Sequence, residues 1–527
     1  MTKLLVDGIR IPVKYGDGEA LAAAEKRLVR AGVPFERGTL HVYKRSVDAR
    51  RRDNISFVYS VCAESEASPE SVKAEGIRAH AAEKRQIVRG TEKLSARPVV
   101  IGFGPAGMFC ALMLAEHGLR PVVFERGAPV DERVEKVEHF YRTGELCPDT
   151  NIQFGAGGAG TFSDGKLVTR IGDARTSYVL EKLREMGAPD DITKLAKPHI
   201  GTDVLRNVVK NFAAEIERLG GEIRYNTKID NIGDGYVEAA GERIACGCAV
   251  LAPGHSARDT YTKLLASGWS IEAKPFSVGV RIEHLQDELD AAMYGDAALA
   301  GVLGHAEYQL SHRRGDRGVY TFCMCPGGEV VAAASEYGGV VTNGMSRRAR
   351  NSGIANAAVA VSVLPEDFGQ DPRGAIEFQR ALEQAAFRAG GGDYSAPCQS
   401  VGSFSRTKKT SVGSRISPTY MGGRVRETDL RGILPDFVVS MLCEGLANFD
   451  RRIKGYGAAD VPLTGVETRT SAPLRILRDN VTLCAEGHGL VYPCGEGAGY
   501  AGGITSAAVD GLRVAEAILR RFAPDGN

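Results

Sequence analysis

Apolar residues change their period several times along this chain, and each change marks an element. Leu4–Val13 alternates as a strand, and Leu21, Ala24 and Leu28 share one face of a helix over Glu19–Ala31 that stops at Gly32. Leu40–Val47 and Ile55–Val61 read as two further strands, so residues 1 to about 65 predict a small α/β module. Residues 66–96 are charged and alanine-rich, which predicts a connector with a helix near Ser71–Val88. Val99–Ile101 is a β-branched run suited to a buried parallel strand, followed by a helix up to Gly118 and a second strand at Pro121–Phe124. Thr202–Leu219 carries Leu205, Val208, Phe212 and Ile216 at helical spacing. Three strands after it, Glu222–Ile232, Tyr236–Ala240 and Arg243–Leu251, predict a β-meander. Further strands are expected at Phe276–Ile282, Tyr308–Ser311, Val319–Cys325, Glu329–Ser335 and Ala357–Val363, with helices at Gly374–Ala389 and Ile504–Phe522.

Composition narrows the class. A chain of 527 residues predicts two or three domains, and 43% hydrophobic with 25% charged residues is an ordinary globular balance. The net charge of +1 gives no pull toward nucleic acid or acidic lipid. No apolar run is long enough to span a membrane and Met1–Asp7 lacks a signal-peptide core, so a cytoplasmic location is expected. The 11 cysteines are odd in number and scattered, which suits reduced thiols. The 64 glycines gather in loops able to approach a ligand by backbone.

The densest chemistry lies between Arg97 and Arg126. Gly102, Gly104 and Gly107 have the spacing G-x-G-x-x-G between a strand and a helix, and Ala111 continues the small face one turn later. Such a turn admits a pyrophosphate against bare backbone at a helix N-terminus. Glu125, at the end of the next strand, is placed to accept hydrogen bonds from ribose hydroxyls. Asn151–Leu167 is a second glycine-rich loop, with Gly158 and Gly160 expected to lie flat against a planar ligand, and Ser163, Asp164 and Lys166 as polar ends. Near the end, Gly495-Glu496-Gly497 follows a strand and Gly503-Ile504 opens a helix. An acid there can accept from a ribityl chain, and the helix N-terminus can stabilise a negatively charged ring. No second G-x-G-x-x-G with a following acid is present, so a separate nicotinamide-binding Rossmann unit is not expected.

These stretches together resemble the FAD-binding fold of the glutathione reductase type, and more closely the bacterial FAD-dependent dehydrogenases. The matching motifs are FGAGGAGTFSDGKL at 154–167, FCMCPGGEVVAAASE at 322–336, VVTNGMS at 340–346, TGVETRTSAP at 464–473, GEGAGYAGGITSAAVDG at 495–511 and HVYKRSVDAR at 41–50. The resemblance implies an α/β fold: an FAD-binding Rossmann domain with a β-meander, a mixed-sheet substrate domain and a small N-terminal α/β module. The expected division is 1–90 for the module and connector, 97–265 and 471–527 for the FAD-binding domain, and 266–470 for a capping domain. It implies bound FAD, with Gly102, Gly104, Pro105, Ala106 and Gly107 at the pyrophosphate and Glu125 and Arg126 at the adenosine ribose. Ile229 would meet the adenine by backbone, Gly254 would turn near the cofactor, and Glu496, Gly503 and Ile504 would contact ribityl and ring. Pro253 and Glu496 depart from the Thr and Asp usual at these places.

Other candidates are thinner. Cys246/Cys248 and Cys323/Cys325 are pairs two residues apart, read as buried thiols because a disulfide there needs a sharp bend. Their spacing fits no metal site. His255 lies beside the cofactor turn, and Arg406, Lys408 and Lys409 form a basic run read as solvated surface. The basic turn Asp48–Asn54 is a solvated hairpin tip, or else a patch for a phosphate-bearing partner or for docking on the main body. The expected activity is an FAD-dependent oxidoreductase passing hydride through flavin N5 to or from a small organic substrate; the sequence assigns no catalytic residue, substrate or oligomeric state. The alternative is an FAD-binding redox sensor acting through its basic N-terminal module.

Overall fold

Val99–Ile101 is the middle strand of a five-stranded parallel sheet, in the order Val491–Pro493, Ala249–Leu251, Val99–Ile101, Val122–Phe124, Glu222–Arg224. The computed structural model describes residues 1–72, 74–80, 87–169 and 171–523. The helix Pro105–Glu116 is apolar on every side because it is enclosed on every side, packing among the sheet, Thr202–Arg218 and Ile504–Arg521. Glycine permits the closest approach: a Cβ at Gly511 would lie 2.2 Å from the carbonyl oxygen of Ala106.

The predicted meander is divided between two sheets. Glu222–Arg224 is the edge of the parallel sheet, and the three-stranded meander is Ile229–Gly233, Tyr236–Ala239 and Glu242–Ala245. The chain turns between the sheets at Asn226, with φ +52, a conformation asparagine tolerates better than most residues. It returns through Gly247, where a Cβ would lie 2.3 Å from the carbonyl oxygen of Ala96, to re-enter as Ala249–Leu251.

Between Leu251 and Val491 the chain builds a seven-stranded mixed sheet. At its centre Phe276–Leu285 pairs with Ile354–Val363 along its whole length, and Ile354–Val363 pairs with Arg317–Cys325. Two expected strands are shifted or shortened. The edge strand is Ser311–Arg314 rather than 308–311, and Glu329–Ala332 stops where it leaves its partner Thr342–Met345. The helix Asp436–Arg452, absent from the sequence reading, packs on this sheet through Gly445, where a Cβ would lie 2.6 Å from Val319.

The N-terminal module is a four-stranded antiparallel sheet in the order Glu36–Asp48, Ser56–Ser65, Thr2–Pro12, Ile77–His80. Ala20, Ala24 and Leu28 of the helix Asp17–Arg30 bury against it. Ile77–His80 overturns part of the expected connector helix: after Gly76, at φ +73, it takes the open edge beside Thr2–Pro12. Positions 73 and 81–86 of that expectation lie outside the described residues. The module docks on the body. The Arg45 N–H donates to Lys194 (2.8 Å), the Ala196 N–H donates to Arg45 (2.9 Å), and Ile55 packs with Tyr294 and Ala306. Among the described residues no helix is long and apolar enough to cross a membrane.

Candidate cofactor and active site

A deep cleft opens where the parallel strands end at their carboxyl termini, the place where open α/β sheets receive ligands. Gly102, Gly104, Pro105 and Ala106 line it. Gly102 has φ +99, and a Cβ there would lie 2.2 Å from the carbonyl oxygen of Ala252, so only glycine makes this turn. The helix then starts at Gly104 with no side-chain cap, which leaves the N–H groups of its first turn for a ligand. Gly107 does not reach the cleft. It lies behind the wall, where a Cβ would stand 1.9 Å from the carbonyl oxygen of Gly102, and it serves helix–strand packing.

Glu125 and Arg126 also line the cleft. The Glu125 carboxylate is buried and accepts three backbone N–H groups, from Phe103 (2.8 Å), Gly127 (2.9 Å) and Gly155 (3.0 Å). It therefore joins the first glycine turn to the second glycine loop, a role the sequence reading did not foresee. Arg126 stacks 4.3 Å from the ring centre of Phe154 and pairs with Asp259 at 2.9 Å. Thr227, Lys228 and Ile229 follow on the same side.

The second loop is clamped from behind by Arg133, a fully buried guanidinium with no carboxylate hydrogen-bonded to it. It donates to the carbonyls of Asn151 (2.9 Å), Ile152 (2.8 Å), Gly155 (3.2 Å) and Ala156 (2.6 Å). Burial pulls its pKa down to about 9, against the attraction of Glu125. Gly155 is thus held at both ends, its N–H by Glu125 and its carbonyl by Arg133. Its φ is +121 and a Cβ would lie 2.4 Å from Arg133. The clamp presents Gly158 and Gly160 to the cleft. A Cβ on Gly158 would come 3.0 Å from the Cα of Gly104, and one on Gly160 would come 3.1 Å from Ile504.

Glu496, Gly503 and Ile504 line the cleft, and so does Gly254. Gly495 does not. Its φ of +76 and its N–H bond to buried Asp510 (2.8 Å) shape the turn that presents Glu496. Arg478, bonded to Asp510 at 2.7 Å and to the carbonyl of Pro493 at 2.6 Å, fixes this turn, and neither residue was singled out from sequence. Burial pushes the Glu496 carboxyl up to about 7, opposed by Lys274 and a backbone N–H of Gly503. His255, also in the wall, is pulled down to about 4 by burial and by Arg469 and Arg258.

The opposite wall comes from the seven-stranded sheet, through Phe322, Cys323, Cys325 and Glu467, with Asn343 from the neighbouring strand Thr342–Met345 and Arg469 from just beyond Pro462–Glu467. Each of its charges is answered inside the protein. Arg281, fully buried, binds Glu467 through two bonds (2.9 and 3.0 Å), and also Asn343, Asn356 and the carbonyl of Cys323. Arg469 and Arg258 share Glu383, at 2.9 and 2.6 Å. Burial would raise that carboxyl, but the two guanidiniums hold it well below the usual range. Asp164 is paired with Arg350 at 2.6 Å. Cys246 and Cys248 are fully buried, as expected. Cys323 is not: it is exposed to the cleft, which corrects the buried-thiol reading. Arg406, Lys408 and Lys409 lie apart, exposed around a shallow depression with Glu427 and Asp429.

This lining fits FAD. Uncapped helix N-termini at Gly104 and Gly503 suit a diphosphate, and Gly254 and Gly503 offer backbone with open space where a Cβ would be. Lys166, Lys228 and Arg126 add positive charge, and Glu496 adds an acceptor for hydroxyls. Among the described residues no cluster is able to hold a metal ion.

Three comparisons bear on this site. A family model described as FAD-dependent protein, C-terminal domain-like, matches residues 275–470. An uncharacterized protein of Clostridium beijerinckii is 48% identical over 503 residues, covering 92% of this chain and 92% of its own. Solved structures similar to this chain include CtdE in complex with FAD (TM-score 0.32, 12% identity, 81% of this chain and 84% of that one). CmlS, a flavin-dependent halogenase, gives a TM-score of 0.35 at 13% identity over 80% of this chain and 58% of its own. Glycine oxidase from Geobacillus kaustophilus gives 0.31 at 12% identity over 81% and 95%.

Proposed function

Because this chain belongs to the family of FAD-dependent proteins, with FAD as its cofactor, we propose that it is an FAD-dependent oxidoreductase acting on a small organic substrate. The observation that carries the proposal is the two-walled cleft. One wall is backbone suited to a dinucleotide; the other is a polar surface with an exposed thiol, Asn343 and Glu467. Bound FAD supplies hydride transfer at N5 of its ring. The protein's share is binding, orientation and charge. Gly102–Ala106 and the loop held by Arg133 receive the diphosphate and the planar part, and Gly158 and Gly160 keep that surface flat. Arg126 and Ile229 take the adenosine side. Glu496, with its carboxyl near 7, is able to hold or release a proton at neutral pH beside the ribityl and ring. His255 stays neutral there. A glutathione-reductase-type FAD domain over 97–265 and 471–527, capped by 266–470 and preceded by a docked module over 1–90, is the division we infer. The docking of Arg45 and Ile55 on the body favours a structural role for the module over a partner-binding one.

Anaerobic screening of metabolites against the purified holoprotein tests this reading. Bleaching of the flavin by one compound class, or reoxidation of reduced flavin by another, with turnover, is the expected result. A bound flavin that no small molecule reduces or reoxidises would overturn it.

A further inference from the structure

Strand Arg317–Cys325 is the only strand of the seven-stranded sheet whose end supplies cysteines to the cleft, and its last residues do not follow strand geometry. Pairing with Ile354–Val363 is regular up to Phe322 and then shifts before Cys325. Cys323, inside this bulge, has φ +40, a left-handed value that a side-chain-bearing residue takes only under strain. Two contacts hold it there. The buried Arg281 donates to the Cys323 carbonyl at 3.0 Å, and the Cys325 Sγ donates to the same carbonyl at 3.2 Å. Arg281 is itself fixed by Glu467 and Asn356. The bulge therefore supplies the sharp bend that a regular strand denies to two cysteines two residues apart. It folds the Cys325 thiol back toward residue 323. It also separates their exposures: both line the cleft, but Cys323 is exposed to it whereas Cys325 is only 1% exposed.

We propose that Cys323 and Cys325 are a redox-active dithiol that exchanges an electron pair with the bound FAD. The proposal rests on the FAD reading above and deepens it by naming a thiol–disulfide couple as part of the same site. In the oxidising direction the two S–H bonds break and one S–S bond forms. Two electrons and one proton pass to oxidised FAD, and the second proton leaves to solvent. The reverse opens the disulfide. Cys323 is the sulfur an external thiol compound reaches first, and Cys325 is the resolving sulfur behind it. Burial pushes the Cys325 thiol up to about 12, while Arg281 and Lys166 draw both thiols back toward the thiolate. A short loop closed across a bulge makes a strained, easily reduced disulfide, the kind that belongs to catalysis rather than structure.

The test uses air-oxidised holoprotein and two readouts. Anaerobic titration with dithionite should consume two electron pairs per FAD in the wild type, and one pair in both Cys323→Ser and Cys325→Ser. Flavin content and circular dichroism check that the variants fold. Mass analysis of the wild-type tryptic peptide 318–347 should find it two hydrogens lighter before reduction than after, with nine of the 11 cysteines alkylated before and all afterwards. One electron pair in the wild type, with a peptide that is never lighter, would overturn the dithiol and leave the FAD reading standing. A protein that holds no flavin, even after soaking with FAD, would overturn the underlying reading instead.

Discussion

Along the parallel sheet the cleft is walled by backbone; along the seven-stranded sheet it is walled by side chains. The first wall depends on what glycine lacks. At Gly102, Gly155 and Gly158 a Cβ would fall 2.2, 2.4 and 3.0 Å from neighbouring atoms. The second wall depends on charge compensation, with Arg281 on Glu467 and with Arg258 and Arg469 on Glu383. A surface of bare N–H and C=O groups suits a ligand whose phosphates and planar ring never vary. A surface of paired side chains is the one that differs when substrates differ. The contrast predicts that damage to either wall should have a different signature.

The largest effect is expected behind the backbone wall. Gly107→Val places branched carbon within 2 Å of the Gly102 carbonyl oxygen, judged from the 1.9 Å Cβ distance, with the Val100 side chain at 3.3 Å. A destabilisation above about 4 kcal/mol is expected, giving little folded protein by circular dichroism. Gly104→Val, three residues earlier, is the sharper comparison. Its Cβ would meet only the Cα of Gly158 at 3.8 Å, so the fold should persist while the added methyls fill the diphosphate's place. Loss of bound flavin with a melting curve that matches the wild-type apoprotein is the expected result; full flavin content would remove this turn from the cofactor site.

Next comes the side-chain wall. Arg281→Met leaves Glu467 buried without its cation and should cost about 3–5 kcal/mol in a urea titration. Because the backbone wall is untouched, the protein that remains folded should still carry FAD. Loss of flavin in proportion to stability would erase the distinction between the walls.

A smaller, pH-dependent effect belongs to Glu283, deep in the seven-stranded sheet. Its Oε1 accepts from the Thr419 N–H (3.0 Å) and hydroxyl (2.6 Å), but its Oε2 has no partner, and burial pushes the carboxyl up to about 7. The folded protein thus binds a proton there more tightly than the unfolded chain. Stability from this group is full below the unfolded pKa and falls as pH rises through the folded one, by roughly 3 kcal/mol in all. Glu283→Gln should lose less stability than the wild type between about pH 5 and about pH 8. Glu496 has the same sign, so the difference between the two proteins reports Glu283. Parallel curves would show that Glu283 is not protonated in the fold.

The backbone wall was largely legible because its signal is local: strand, glycines, helix, strand and Glu125 fall within one stretch. Even there the chemistry of Glu125 was only half visible. An acid at that position reads as a ribose ligand, whereas the structure shows its carboxylate tying three backbone N–H groups from two loops together. Arg133 gave no signal, because it sits in an ordinary polar helix and all of its acceptors are main-chain carbonyls. Gly107 and Gly495 carry the motif but stand behind the wall, since a spacing rule does not tell a glycine that touches ligand from one that lets a helix approach. The side-chain wall was hidden by distance. Arg281 and Glu467 lie 186 residues apart, and although Glu467 falls in the 464–473 motif, nothing in the sequence pairs it with Arg281. Cys323 was misread because alternation assumes a regular strand, and the bulge that exposes its thiol is set by Arg281 from another strand.

The strand Val491–Pro493 pairs with Ala249–Leu251, and the helix Ile504–Arg521 packs on Pro105–Glu116, so both complete a unit begun much earlier in the chain. During synthesis the ribosome must therefore make the whole seven-stranded sheet before the parallel sheet has its last strand. Until then the helix Pro105–Glu116 lacks one of its covers, and Glu496, Gly503 and Ile504 are not yet part of the cleft. The nascent chain is exposed to chaperones and proteases for as long as that takes. Capture of the flavin becomes a late step, coupled to the synthesis of residues 491–521 rather than to the folding of the first glycine turn. A chain through residue 485 followed by a linker that spans the exit tunnel should accordingly retain no FAD in a pull-down of stalled ribosome complexes, whereas the chain through residue 523 with the same linker should; flavin on the shorter chain would place capture earlier.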